Sequence, residues 1–238
     1  MVTVAAVVVD NGDRDIFSCI ESLLNQTLKL SEIVVVPGPR TPTETVEKLK
    51  RIGIKVLEPV KGIGRARIRG IEETKADIVL SCDSDSEYDK RYAEEAVKTL
   101  KQHFKAVKAG TVIPKKWSLG ALLELPLATI LPYEFGLAFW RNELLSTSAP
   151  RVAQEIENPL WDIGPVVARE MMPVAVNPRM VVKTRLPTHA VKHLVETWVP
   201  QVLGSATPIA VAIGIAAVEE FSKSIRQLVS RAKLLEQL

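Results

Sequence analysis

The feature that most limits the fold of this 238-residue chain is an alternation, in its first half, of short β-branched runs with segments of helical period. Residues 3 to 9, Thr-Val-Ala-Ala-Val-Val-Val, are apolar without alternation, as expected of a strand covered on both faces. Ile16, Phe17, Ile20, Leu23 and Leu24 then recur at helical spacing, which predicts a helix laid on the sheet. Residues 33 to 36 give a second strand. Thr41-Pro42-Thr43-Glu44 supplies an N-cap, a proline at the first helical position and a glutamate placed for a capping box, so a helix should begin there and stop near Gly53. Strand over 54 to 57, helix over 63 to 74 and strand over 77 to 82 complete the alternation, with a helix over 92 to 102 and a strand over 106 to 113 beyond it. Such a succession predicts an α/β fold with a mostly parallel sheet, right-handed crossovers and flanking helices. We expect one domain over 1 to 198 and a helical C-terminal appendage over 199 to 238.

Charge and cysteine usage narrow the function classes. The formal net charge is only +3, and basic and acidic residues are intermixed, so nucleic acid is not the expected partner. Cys19 and Cys82 sit in apolar patterns and read as small core residues, without a disulfide framework or zinc site. The first residues lack a basic leader and a small-residue cleavage site, which predicts a core strand, no signal peptide and a cytoplasmic location.

The chemistry concentrates where the fourth strand ends, at Asp83-Ser84-Asp85. On a strand, side chains i and i+2 share a side, so two carboxylates could converge on one site while Ser84 leaves room for a bulky ligand. Hard oxygen donors suit Mg²⁺ or Mn²⁺, ions that usually arrive with phosphates. A solvated acidic turn is the plain alternative. Just upstream stands Gly62-Ile63-Gly64-Arg65-Ala66-Arg67-Ile68-Arg69-Gly70. Arginines at a helix start oppose the helix dipole unless an anion is near, and a phosphate is the natural one. The segment also loosely imitates a dinucleotide-binding fingerprint, but Arg67 stands where the third glycine belongs.

A strand, a Gly-rich turn opening a helix with an Ala-Arg pair, and a strand ending in Asp-x-Asp, in this order, resemble the N-terminal half of the family 2 glycosyltransferases of GT-A fold. The resemblance covers residues 3 to 115 well and the remainder loosely. It implies a metal-dependent, inverting transferase that moves a sugar from a nucleotide-diphosphate sugar to a glycan, lipid-phosphate or protein acceptor. By the same resemblance Asp83 contacts the sugar nucleotide and Asp85 the metal, with His189 completing the metal shell. Asp10, Gly62, Arg65, Arg67 and Ser84 are further donor-binding candidates. Val36 is followed by Pro37-Gly38-Pro39-Arg40 where the family usually carries a base-binding acid, and Asp10 also reads as a turn former. The general base falls to Asp162 in Trp161-Asp162-Ile163-Gly164, a form similar to that of polyprenyl-phosphate sugar transferases; Glu155 and Glu157 compete, and helix capping is the alternative. The rival functions are a nucleotidyltransferase on a similar fold and a non-catalytic binding protein.

Two apolar stretches, 118 to 139 and 199 to 218, together with a basic amphipathic tail, suggest a membrane-surface acceptor such as a polyprenyl phosphate. Pro126 and Pro132 would interrupt a spanning helix, so the first stretch reads as short helices that pack on the domain or lie at a membrane surface, and a buried helix is the alternative for the second. Lys115-Lys116-Trp117 and Trp140-Arg141 read as interfacial anchors flanking the first stretch.

Overall fold

A computed structural model describes residues 2–116, 136–156 and 161–185. These all belong to one compact unit, Met1–Thr188. The expected appendage over 199 to 238, with its apolar stretch, lies outside the described residues.

The first strands and helices form where the sequence pattern places them. Strands β1 (Val4–Asp10), β2 (Glu32–Pro37) and β3 (Lys55–Val56) alternate with helices α1 (Ile16–Leu24) and α2 (Thr43–Arg51); α3 (Ile63–Glu73) then leads to β4 (Ile78–Asp83). After a two-residue strand β5 (Glu87–Tyr88) come α4 (Tyr92–Leu100) and β6 (Ala106–Pro114). The remaining elements are β7 (Leu137–Trp140), α5 (Arg141–Leu145), α6 (Ala149–Glu155), α7 (Gly164–Glu170) and β8 (Val174–Thr184).

The strands make one eight-stranded sheet in the order β3-β2-β1-β4-β7-β6-β8-β5. β3, β2, β1 and β4 are mutually parallel, β7 runs antiparallel to both β4 and β6, β6 pairs parallel with β8, and β8 pairs antiparallel with β5. Every residue of β1 is buried, as its unbroken apolar run requires. Its even-numbered residues Val4, Ala6 and Val8 pack with Ile16, Ile20 and Leu23 of α1 and Leu49 of α2. Val7 and Val9 face the other way, toward Ala66, Ile68 and Ile71 of α3 and Val166 and Val167 of α7. The sheet is thus the middle of three layers. Each such fully buried Val, Leu or Ile contributes about 1.5–3 kcal/mol over an exposed one. On the α3 side the approach is close, for a Cβ on Gly70 would stand 2.4 Å from Val7 Cγ1.

Three expectations are corrected. The stretch 118 to 139 ends packed in the domain, one of its two expected placements, but as a strand rather than a short helix: Leu137, Ala138 and Phe139 are wholly buried in β7, between β4 and β6. Trp140 and Arg141 are not membrane anchors either. Trp140 Nε1 donates to Phe104 O, and Arg141 donates to the carbonyls of Ile71 and Glu72 near the end of α3, so both hold the domain together. Lys115, at the other end of the stretch, is engaged with Asp15 and Glu87. The rest of the stretch lies outside the described residues, and among the described residues no helix is long and apolar enough to cross a membrane. Finally, Thr41 does not cap α2. Pro42 occupies the N-cap, no side-chain cap bond forms, and the Thr41 hydroxyl instead donates to Asp10.

Candidate active site

The carboxyl ends of β1, β2 and β4 lie side by side, with Val9 opposite Asp83 and Asp10 opposite Pro37. That edge is where ligands bind in open α/β sheets. β4 ends at Asp83, so Asp85 is not on the strand, and the two carboxylates are brought near each other by a turn closed by Ser86 N–H donating to Asp83 O. The turn is anchored from beneath: Asp83 N–H donates to Tyr88 Oη, Cys19 Sγ to Asp83 O, and Ser84 N–H to Val9 O. Ser84 Oγ donates to Asp13 Oδ2, which brings a third carboxylate to the group. Asp85 Oδ1 accepts from the hydroxyls of Ser86 and Thr184 at 3.2 and 3.3 Å. Burial first, then the charges of Asp83 and Asp13, push the Asp85 carboxyl up to about 7.

Arg67 organises the site. Its side chain is wholly buried, and its five N–H donors are all used. Nε and Nη2 grip Asp162 Oδ1 and Oδ2 at 2.8 and 2.7 Å, Nη2 also reaches Asp83 Oδ1 at 2.8 Å, and Nη1 donates to Ser81 Oγ and Cys82 O. One guanidinium therefore fixes Asp83 and Asp162 in a shared geometry, across 95 residues of sequence from Arg67 to Asp162. Burial works against the charged guanidinium, but the two aspartates outweigh it and raise its pKa. Burial likewise pushes the Asp83 carboxyl upward, and Arg67 draws it back.

The packing that permits the clamp is visible at Gly64. A Cβ there would lie 2.2 Å from the Trp161 ring and 2.8 Å from its carbonyl, which accepts the Gly64 N–H at 2.8 Å. Only glycine lets α3 approach Trp161 closely enough for Arg67 to reach Asp162. Asp162 Oδ1 also accepts the Ile163 N–H, whereas among the described residues Oδ2 accepts only from Arg67.

The arginines of α3 find partners within the fold, and Arg67 has no donor left for a phosphate. Arg65 gives its donors to the carbonyls of Ala153, Gln154 and Ile156, the C-terminal end of α6, where a cation suits the helix dipole. Arg69 pairs with Glu73 on its own helix. Asp10 is fully buried and acts as the turn former: it accepts from Gly12 N–H, Asp13 N–H and the Thr41 hydroxyl. Gly62, with φ of 98°, caps α3 and lines a cleft of about 360 Å³ over the ends of β1 and β2. Of the base candidates, Glu155 sits on the exposed side of α6 paired with Arg151, while Glu157 and His189 lie outside the described residues.

For a divalent cation the donor set fits in part. Among the described residues no group of three His, Cys, Asp or Glu side chains is arranged as a metal cage. Mg²⁺ and Mn²⁺ at phosphates need only one or two carboxylates plus phosphate and water oxygens. Asp83 and Asp85 offer that, and Asp85 Oδ2 accepts no hydrogen bond from the described residues. Beside burial, repulsion from Asp83 and Asp13 raises the Asp85 carboxyl, and a bound cation would relieve that repulsion.

Residues 6–145, more than half of the chain, match the sequence model described as "Glycosyl transferase family 2". The chain belongs to this family. Over 99 residues it is 29% identical to EpsH of Bacillus subtilis (strain 168), a candidate glycosyltransferase, a stretch covering 39% of this chain and 28% of EpsH. Among solved structures it is similar to TarS of S. aureus, with TM-score 0.56 and 14% identity over 87% of this chain and 41% of TarS. It is also similar to glucosyl-3-phosphoglycerate synthase of Mycobacterium tuberculosis, solved with Mn²⁺, UDP-glucose and phosphoglyceric acid, with TM-score 0.59 and 20% identity over 85% and 79% of the two chains. These likenesses show the GT-A fold. The chain thus spans under half the length of TarS and aligns with under a third of EpsH.

Several parts of this candidate site escaped the sequence reading. Ser81, Tyr88, Thr184 and Asp13 all support the carboxylates, but only proximity in the fold reveals it. Lys115, bonded to Asp15 and Glu87, and Arg185, bonded to Asp15, tie the ends of β6 and β8 to the loop after β1. Their positions at strand ends were the one signal available.

Proposed function

We propose that the chain is a glycosyltransferase that takes its sugar from a nucleotide-diphosphate sugar, with Mg²⁺ or Mn²⁺, and inverts the anomeric centre in a single displacement. The observation that carries this reading is Arg67 holding Asp83 and Asp162 together at the sheet edge, beside Asp85 and next to a cleft large enough for a nucleoside. Asp83 and Asp85 would hold the metal, whose chemistry when bound is to stabilise the charge that develops on the departing diphosphate. The Mn²⁺ in the structure of glucosyl-3-phosphoglycerate synthase supports this assignment.

The chain's own residues do the rest. The nucleoside end of the donor lies in the cleft over β1 and β2, its diphosphate beside Ser84, and its sugar between Asp83 and Asp162. The acceptor oxygen attacks the anomeric carbon as the bond to the diphosphate breaks. Where the acceptor is a hydroxyl of a glycan or protein, its proton passes to Asp162 Oδ2, which among the described residues accepts only from Arg67. Where the acceptor is a polyprenyl phosphate, its oxygen is already ionised near neutral pH and needs no proton acceptor.

A nucleotidyltransferase reading is disfavoured by the loop after β1. Together with Asp10 at the strand's end, that loop carries Asp13 and Asp15 against the single cation Arg14, so its net charge opposes a triphosphate. The test is to incubate the chain with nucleotide sugars, or with nucleoside triphosphate plus sugar phosphate. Release of nucleoside diphosphate from the first is expected, and pyrophosphate from the second would overturn the proposal.

A further inference from the structure

The cleft over β1 and β2 offers a ligand two cationic side chains and one carboxamide but no free carboxylate. Its polar lining comes from the loop Gly38–Pro39–Arg40, from Asn11 and from Lys61, while Val9, Val60, Ile63 and Ala66 supply apolar walls that a planar ring can stack against. Part of the backbone there is engaged. Pro37 and Pro39 have no N–H. Gly38 N–H donates to Asp10 O at 2.6 Å, the Gly38 carbonyl accepts from Thr41 N–H, and the Pro37 carbonyl accepts from Val60 N–H. Asp10, the one carboxylate in the lining, is wholly buried and bonded to Gly12, Asp13 and Thr41. No carboxylate is therefore left in the cleft to accept the imide N–H of a uracil. What remains on the side chains is the Asn11 carboxamide and the Arg40 guanidinium, the latter exposed and without an ion pair or hydrogen bond among the described residues, with Lys61 as a second cation.

An arginine reads two adjacent acceptors with its planar fork, and guanine offers them as O6 and N7, the commonest specific contact of this side chain with a base. Adenine places an amino donor beside N7 on the same edge, and uracil sets its N–H donor between two carbonyls. We infer that Arg40 is a specificity-determining residue that selects a guanine nucleotide, so that the donor is a GDP-sugar. This inference rests on the glycosyltransferase reading and names the base that reading leaves open.

The test is calorimetric titration of the full chain with GDP, UDP, CDP and ADP, each with Mn²⁺, repeated on Arg40→Ala. GDP should bind on the order of 10- to 100-fold more tightly than the others, the range a single bidentate base contact supplies. Arg40→Ala should erase that preference while leaving the melting temperature of the unliganded chain unchanged, because Arg40 is an exposed loop residue. If UDP, CDP or ADP binds as well as or better than GDP, the guanine assignment is wrong while the transferase reading stands. A GDP preference that survives Arg40→Ala removes Arg40 as the reader. If none of the four binds, the nucleotide-sugar reading itself fails.

Discussion

Replacing Arg67 tests how the site is held together. In Arg67→Met the side chain keeps most of its volume, but Asp162, only 8% exposed, loses both arginine contacts, and Asp83 loses its own. Removing one partner of a buried ion pair costs about 3–5 kcal/mol, a large share of the 5–15 kcal/mol that holds a typical domain folded. Arg67→Lys keeps the charge but offers three donors in place of five and cannot form the planar fork. It should cost roughly half as much and still lower turnover about 10- to 100-fold, the usual effect of losing a group that orients site residues. A double variant, Arg67→Met with Asp162→Asn, should be more stable than Arg67→Met alone, because it removes an orphaned charge. Urea denaturation measures the stabilities, and nucleoside diphosphate release measures turnover of the folded fraction. If Arg67→Met unfolds within about 0.5 kcal/mol of the parent, as an ordinary surface change would, the clamp does not have the weight assigned to it.

Three further predictions follow from other contacts. Asp162→Asn, normalised to folded protein, should slow transfer to a sugar or protein hydroxyl on the order of 10²- to 10⁴-fold but only modestly slow transfer to a polyprenyl phosphate, so comparing the two acceptors in one assay identifies the class. Gly64→Ala drives a methyl to 2.2 Å from the Trp161 ring and should cost about 1–3 kcal/mol in thermal or urea melts; a neutral effect would show that α3 can shift without penalty. Burial works upward on Glu170, but the Ser148 hydroxyl and N–H and the Arg169 guanidinium hold its carboxyl down at about 2, against an ordinary 4.5. A depressed carboxyl stabilises the fold fully above its unfolded pKa, so Glu170→Gln should cost ~1–2 kcal/mol at pH 7, and the gap to the parent should close as pH falls from about 4.5 to about 2.

The parallel half of the sheet was readable because β1, β2 and β4 are covered on both faces and so appear as unbroken apolar runs. β7 was not, since its four residues close a longer apolar stretch with no turn residue to mark a boundary but Gly136. β8 was missed because Asn177-Pro178-Arg179 interrupts it. Proline argues against a strand, and here it is accommodated at an irregularity where the register with β6 shifts between Ala109 and Thr111. At the site, Asp83, Asp85 and Asp162 were legible as residue types in a known order. Their mutual geometry was not, because it depends on Arg67 reaching across 95 positions and on a glycine whose purpose is contact with Trp161. Arg65 and Arg67 suggested phosphate for a sound electrostatic reason, but the fold supplies their partners itself: a helix C-terminus and two buried aspartates.

The central claim is that Asp85 and Asp83 serve metal-assisted departure of a nucleoside diphosphate. The most direct measurement is nucleoside diphosphate release from a panel of nucleotide sugars, with Mn²⁺ and with chelator, by the parent and by Asp85→Asn. Release by the parent should require the cation, and it should be lost in an Asp85→Asn protein that still folds. Undiminished sugar transfer by folded Asp85→Asn, or by the parent in chelator, would contradict it.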